Sequence, residues 1–156
     1  MIRLVVPGWG TLELEHLVLD LNGTVALDGE PIAGVEQQVA LLSASLVVHL
    51  VTADTRGKAE ETSRWLGCQL ALIEAGCEAT QKQALVEQLG TEQVVAIGNG
   101  ANDAQMLSAA ALGIAILGRE GLASEALQAA DLVVGGIEDA LDLLLHPPRL
   151  IATLRR

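Results

Sequence analysis

Aromatic side chains are nearly missing from this chain. Phenylalanine and tyrosine do not occur, and Trp9 and Trp65 are the only tryptophans. Single-stranded nucleic acids are gripped by stacking bases on such rings, so that mode of binding is excluded. Positive charge is scarce too. The 156 residues carry 9 lysines and arginines against 20 acids, a net charge of −11 at pH 7, and such a field repels a phosphate backbone. Lysine itself occurs only at positions 58 and 82. No run reaches the roughly 18 apolar residues that a membrane helix requires. The opening MIRLVVPGWG lacks the long apolar stretch and cleavage site of a signal peptide. Cys68 and Cys77 form no CxxC pair and have no histidine nearby, as expected of reduced thiols in a cytoplasmic protein. His16, His49 and His146 are scattered, and each is read as structural, not as a metal ligand.

What is present is aliphatic. Hydrophobic residues make up 51% of the chain, so the core must be built from Leu, Val, Ile and Ala, enough for one domain spanning residues 1–156. Residues 2–6 and 11–15 read as two strands joined by the turn PGWG. LVLDL (17–21) reads as a central strand, apolar on both sides of its alternation. Helices are expected at 35–44, 56–66 (capped by Asp54 or Thr55), 80–90, 102–111, 121–129 and 137–145, with Pro147-Pro148 ending the last. Strands are expected at 46–53, 68–74, 94–98, 113–117 and 131–134. This alternation predicts an α/β fold, a doubly wound parallel sheet with helices on both faces after an N-terminal β-hairpin. Ligands of such sheets bind beyond the carboxyl ends of the strands.

The residues at those ends carry chemistry. Asp20, Asn22, Gly23 and Thr24 follow the first central strand, and Thr52, Ala53 and Asp54 follow the second. Lys82 opens a helix, and GNGAND (Gly98, Asn99, Gly100, Ala101, Asn102, Asp103) follows the strand VVAIG. Taken alone, Asn22-Gly23 is also a strong type I′ hairpin signal, and Asp54, Asn102 or Asp103 could simply cap helices. If the sheet is parallel, however, these groups converge on one rim. A carboxylate there can attack phosphorus, hydroxyl and amide donors can hold phosphoryl oxygens, a lysine offsets charge, and a second acid helps to hold magnesium, which prefers oxygen ligands. Lys58, six residues after Thr52 on a predicted surface helix, is the competing lysine.

In their order and spacing these four segments resemble the motifs of the haloacid dehalogenase superfamily: D-L-N-G-T for Asp-x-Asp-Gly-Thr, HLVT for the strand ending in Thr, Lys82 at a helix start, and GNGAND for GDGxND. The resemblance extends through LGIAIL…AADLVV…IEDALDLLL and is strongest to small proteins similar to the phosphorylation domain of P-type ATPases. It implies a Rossmann-like core, with Asp20 as nucleophile and Asn22, Thr52 and Lys82 completing the catalytic set. It also implies that Thr24, Thr52, Ala53 and Lys82 bind phosphate. Mg2+ would be held by Asp20, Asn22, Asn99 and Asp103, supported by Gly23, Gly98, Gly100 and Asn102. The family inserts cap domains between Asp20 and Thr52 or between Thr52 and Lys82. Each interval here holds little more than one helix and one strand, so no cap is expected and only 25–34 could cover the site.

Two departures bear on activity. The family's phosphatases carry an acid–base Asp where this chain has Asn22, and an amide neither takes nor gives that proton. The metal-binding Asp of GDGxND is Asn99 here, an oxygen without a charge. The sequence therefore supports a magnesium-dependent phosphohydrolase that is slow. It leaves open a weak or inactive phosphate-binding regulator working through a partner. Substrates are expected to be phosphorylated small molecules or proteins, with no nucleic acid and no membrane. Without a cap, a homo-oligomer could roof the site, and the hairpin with Trp9 either forms that contact or packs on its own sheet.

Overall fold

The computed structural model describes residues 1–54 and 57–156. Thr55, the alternative cap, and Arg56, the expected first residue of the second helix, lie outside the described residues. Six parallel strands form the main sheet: β3 (His16–Asp20), β6 (Val47–Thr52), β7 (Gln69–Leu72), β8 (Val94–Gly98), β9 (Leu112–Ile116) and β10 (Leu132–Val134), in spatial order β10-β9-β8-β3-β6-β7. β3 lies between β6 and β8, with Leu19 beside Leu50 on one side and Ile97 on the other. Both its edges are taken by parallel neighbours, so LVLDLNGT does not fold back as a hairpin.

Strand alternation divides the interior into two cores. Leu17 and Leu19 of β3 face one way, with Leu50, Val95 and Ile97, towards α1 (Val35–Leu42), α2 (Ala59–Leu66), α6 (Ile137–Leu145) and α7 (Pro147–Leu154). Val18 faces the other way, with Val51 and Ala96, towards α3 (Glu78–Leu89), α4 (Ala104–Ala109) and α5 (Ser124–Ala129). Asp20 shares the parity of Val18, so its carboxyl leaves the sheet on the α3 side.

β1 (Ile2–Val6) and β2 (Gly10–Leu14) pair antiparallel as a separate ribbon. Its alternating Leu4, Val6, Leu12 and Leu14 are buried in the first core, while Val5 is exposed. Trp9 is partly buried against the same core, and the Arg156 guanidinium lies 4.6 Å over its ring. After Asp20 the chain turns and forms a short ribbon, β4 (Ala26–Leu27) with β5 (Glu30–Pro31). Its Asp28-Gly29 turn has positive φ at both residues, 53° and 82°, the type I′ geometry that Asp-Gly favours.

Three expectations need correction. The helix over 137–145 does end ahead of Pro147-Pro148, but it is not the last: the prolines occupy the first turn of α7. A helix's first turn has no use for the missing N–H, and proline's fixed φ suits it. The helix expected over 102–111 is split into a single 3-10 turn, Ala101–Asp103, followed by α4. α2 starts at Ala59 with Lys58 as its N-cap residue, not Asp54, whose Oδ1 instead reaches forward to accept the N–H groups of Lys58 (2.8 Å) and Ala59 (2.9 Å). Among the described residues no helix is long and apolar enough to cross a membrane.

Candidate active site

β3 ends on Asp20, and its parallel neighbours end beside it on Thr52 and Gly98. Lys82 reaches this rim from the first turns of α3. Its Nζ donates to Asp20 Oδ1 and to Asp103 Oδ1, both at 2.6 Å. All three groups are buried: Asp103 is 0% exposed, Lys82 2% and Asp20 7%. Asp103 is fixed from behind, since its Oδ2 accepts the backbone N–H groups of Asn99 (2.9 Å) and Gly100 (2.8 Å). Gly98 has to be glycine here, because a Cβ on it would lie 2.5 Å from the Asp103 carboxyl.

One ammonium between two carboxylates leaves an excess negative charge away from water. Burial first, and Asp103 second, raise the Asp20 carboxyl from 3.8 to about 7, against the lowering pull of Lys82. Burial disfavours the Lys82 charge, but Asp20 and Asp103 outweigh it and hold the ammonium above its usual pKa. An ammonium has three N–H bonds. Two are spent on carboxylates, and the third remains for a ligand.

Thr24 is fully buried, and its one hydroxyl proton serves either Asp20 Oδ2 (3.4 Å) or Asn99 Oδ1 (3.3 Å). Asn99 Nδ2 donates to the Gly121 carbonyl at 3.1 Å. Thr52 Oγ1 accepts the Asp54 N–H at 3.1 Å, which leaves its own proton free to donate. These groups open on a cavity of about 220 Å³ lined by Asp20, Asn22, Thr52, Ala53, Glu78, Lys82, Asn99, Gly100, Asn102 and Glu120. Most of the residues singled out from the sequence meet there. Thr24 stands behind Asp20, Asp103 lies beneath Lys82, and Gly23 underlies Asn99. Lys58 is elsewhere, paired with Glu30 on the surface.

Sequence reasoning missed Glu78 and Glu120. Glu78 sits one helical turn before Lys82, and backbone N–H groups of its own residue and Gly76, with help from Lys82, keep its carboxyl below the usual value. Glu120 lies in the loop after β9, at the same carboxyl edge of the sheet that drew attention to the other groups, so the rim rule would have found it. A second, larger cavity of about 580 Å³ adjoins Gly23 and Thr24 under the β4–β5 ribbon. It is lined mainly by Leu27, Ile32, Ile116, Leu117, Ile137 and Arg119 and contains none of Asp20, Thr52 or Lys82.

The donors around Asp20 suit a hard cation. They are all oxygens: the carboxyls of Asp20 and Glu120, the side-chain carbonyl of Asn99 and the backbone at Asn22. Among the described residues, no three His, Cys, Asp or Glu side chains gather as a metal cluster, so a cation here would need amide and backbone oxygens as well.

Comparison with known proteins places this geometry in context. The profile of the haloacid dehalogenase-like hydrolases matches residues 77–138, a span that includes both Lys82 and the GNGAND loop. An uncharacterized protein of Methanocaldococcus jannaschii is 45% identical over 84 residues, 51% of this chain and 90% of that protein. The fold is shared with the 3-deoxy-D-manno-octulosonate 8-phosphate phosphatase of Moraxella catarrhalis, whose structure holds magnesium, phosphate and the sugar acid. Its TM-score is 0.69 at 16% identity, over 91% of this chain and 94% of that one. A phosphoserine phosphatase superposes with a TM-score of 0.67 at 16% identity, over 86% of this chain and 99% of that one. The profile match across the lysine and the final acidic loop, set on this strand order, shows that the chain belongs to the haloacid dehalogenase superfamily.

Proposed function

We propose that this protein is a magnesium-dependent phosphohydrolase that works through an aspartyl phosphate on Asp20. The observation that carries the proposal is the contact of Lys82 Nζ with both Asp20 and Asp103 at 2.6 Å, inside a cavity also lined by Thr52. In the first step Asp20 Oδ2 attacks phosphorus, and the bond from phosphorus to the leaving oxygen breaks. In the second, water attacks phosphorus, the Asp20–phosphorus bond breaks, and inorganic phosphate leaves. Thr52, through its free hydroxyl proton, and the N–H of Ala53 orient the phosphoryl oxygens. Lys82 offsets their charge with its third N–H, and Asp103 holds Lys82 in place.

Magnesium, when bound, supplies two positive charges that favour the ionised Asp20 carboxyl. Asp20, Asn99 and the Asn22 carbonyl would hold it. Asp103, with both oxygens already engaged, contributes charge more than a bond. Nothing on Asn22 can protonate the leaving oxygen or deprotonate the water, so turnover is slow and favours good leaving groups.

The test is hydrolysis of para-nitrophenyl phosphate by fresh, magnesium-loaded protein beside Asp20→Asn. The variant is expected to lose all activity above background. Equal rates in the two proteins would remove Asp20 as nucleophile. The amide at position 22 also supports a second reading, a phosphate-binding regulator without turnover. That reading requires a wild type that binds phosphate yet stays silent in the same assay.

A further inference from the structure

Asn99 and Glu120 meet over Gly23. A Cβ placed on Gly23 would lie 2.6 Å from Asn99 Nδ2, 2.9 Å from Asn99 Oδ1 and 2.9 Å from Glu120 Oε2. Glycine at position 23, with φ +80°, therefore leaves a small cradle in which these two side chains converge beside Asp20 and Asn22. Glu120 Oε2 points into it, while Oε1 accepts the Asp28 N–H at 3.3 Å.

The loop that delivers Glu120 is tied to residue 99 by two bonds. Asn99 Nδ2 donates to the Gly121 carbonyl at 3.1 Å, and the Asn99 carbonyl accepts the Ala123 N–H at 2.9 Å. An aspartate at 99 would have no proton for the Gly121 carbonyl and would set a second negative charge against Glu120. The amide at 99 and the carboxylate at 120 thus depend on each other.

We infer that Glu120 supplies the anionic cation ligand that position 99 lacks, so that a divalent cation of the magnesium class is held between the carboxyls of Asp20 and Glu120, with the side-chain oxygen of Asn99 between them. The inference rests on the reading of Asp20 as a cation-dependent centre and adds the residue that completes its charge. A hard cation favours charged oxygens over neutral ones. Moving one carboxylate from the β8 loop to the β9 loop keeps the charge count while freeing residue 99 to fasten that loop.

The test is calorimetric titration of Mg2+ alone into metal-stripped protein, with no substrate, for wild type, Glu120→Gln, Asp20→Asn and the double variant Glu120→Gln/Asn99→Asp. Melting in the absence of cation checks folding. Glu120→Gln is expected to weaken Mg2+ binding roughly 10–100-fold with little change in the cation-free melting temperature, and the double variant to recover most of the affinity. A Glu120→Gln variant that binds Mg2+ like wild type overturns the inference, as does one whose only defect is a lower cation-free melting temperature, the mark of a mere fastener for Asp28. If Asp20→Asn also binds Mg2+ like wild type, the active-site reading fails with it. If Asp20→Asn alone loses binding, only the role of Glu120 falls.

Discussion

Two Asn-Gly steps occupy the rim of this sheet, and they are not equivalent. Asn99 is built into the structure: its amide nitrogen holds the Gly121 carbonyl, its oxygen receives Thr24, and it packs on Gly23. Asn22 is half-buried, lines the cavity with Asp20, and its side chain makes no hydrogen bond among the described residues. One asparagine holds two loops together, while the other only faces the cavity. Of the two amides that stand where the resembled motifs have acids, one is part of the architecture, and the other, on the proposed reading, bears on the chemistry alone.

That contrast can be broken by experiment. The largest effect is expected at the idle position. Asn22→Asp should raise para-nitrophenyl phosphate turnover by roughly 10²–10⁴-fold, the usual contribution of general acid–base help, and leave the melting temperature where it was. No gain would mean that the site lacks more than a proton carrier.

Lys82→Met comes next, because it removes the cation shared by both loops. Two carboxylates would then be buried without a cation, at a cost of about 3–5 kcal/mol by analogy with broken buried pairs, read by urea denaturation. Near-wild-type stability would show that Asp20 and Asp103 do not depend on Lys82 as the 2.6 Å contacts imply.

Asn99→Asp is the counterpart of the first variant. It should destabilise the fold by about 1–3 kcal/mol through the lost donor and the unpaired Gly121 carbonyl, with no comparable gain in turnover. If it behaves like Asn22→Asp, the distinction between the two asparagines collapses.

The smallest effect lies at the other end of β3. There His16 Nδ1 meets His49 Nε2 at 3.2 Å, and burial first, then His16, keep His49 below its usual 6.5. A lowered value means that the folded state prefers the neutral ring. This contribution is intact above about pH 6.5 and is lost as pH falls through the folded value. The melting temperature of wild type should therefore fall more between pH 7 and pH 5.5 (a span of about 1.5 units around the histidine value) than that of His49→Gln. Parallel curves would remove His49 as the cause.

The central sheet was legible because its strands are short aliphatic runs separated by turn residues, and because chemistry-bearing residues cluster at their carboxyl ends. Asp20, Thr52, Lys82 and Asn99 could be placed on one rim from order alone. Element boundaries were less legible. The 3-10 turn at Ala101–Asp103 depends on Asp103 reaching back to the amides of Asn99 and Gly100, a tertiary detail that periodicity does not encode. α7 is not legible because a double proline reads as a stop, although the same ring suits a helix's first turn. Glu120 belongs to no motif, and only the rule of carboxyl-end loops, carried on to the loop after β9, points to it. Its meaning comes only from Gly23, nearly a hundred positions earlier in the chain (120 against 23).

The position of Lys82 has one more consequence. At rest its ammonium is already held by two carboxylates in a nearly dry setting. On the proposed reading, a phosphoryl group arriving at Asp20 meets only the third N–H of an ammonium whose other two are already engaged, so Lys82 holds it by a single bond and its departure leaves the carboxylate contacts in place. Such an arrangement favours quick clearance of the freed phosphate over tight retention, so inorganic phosphate should be a poor inhibitor even where a phosphate ester is accepted.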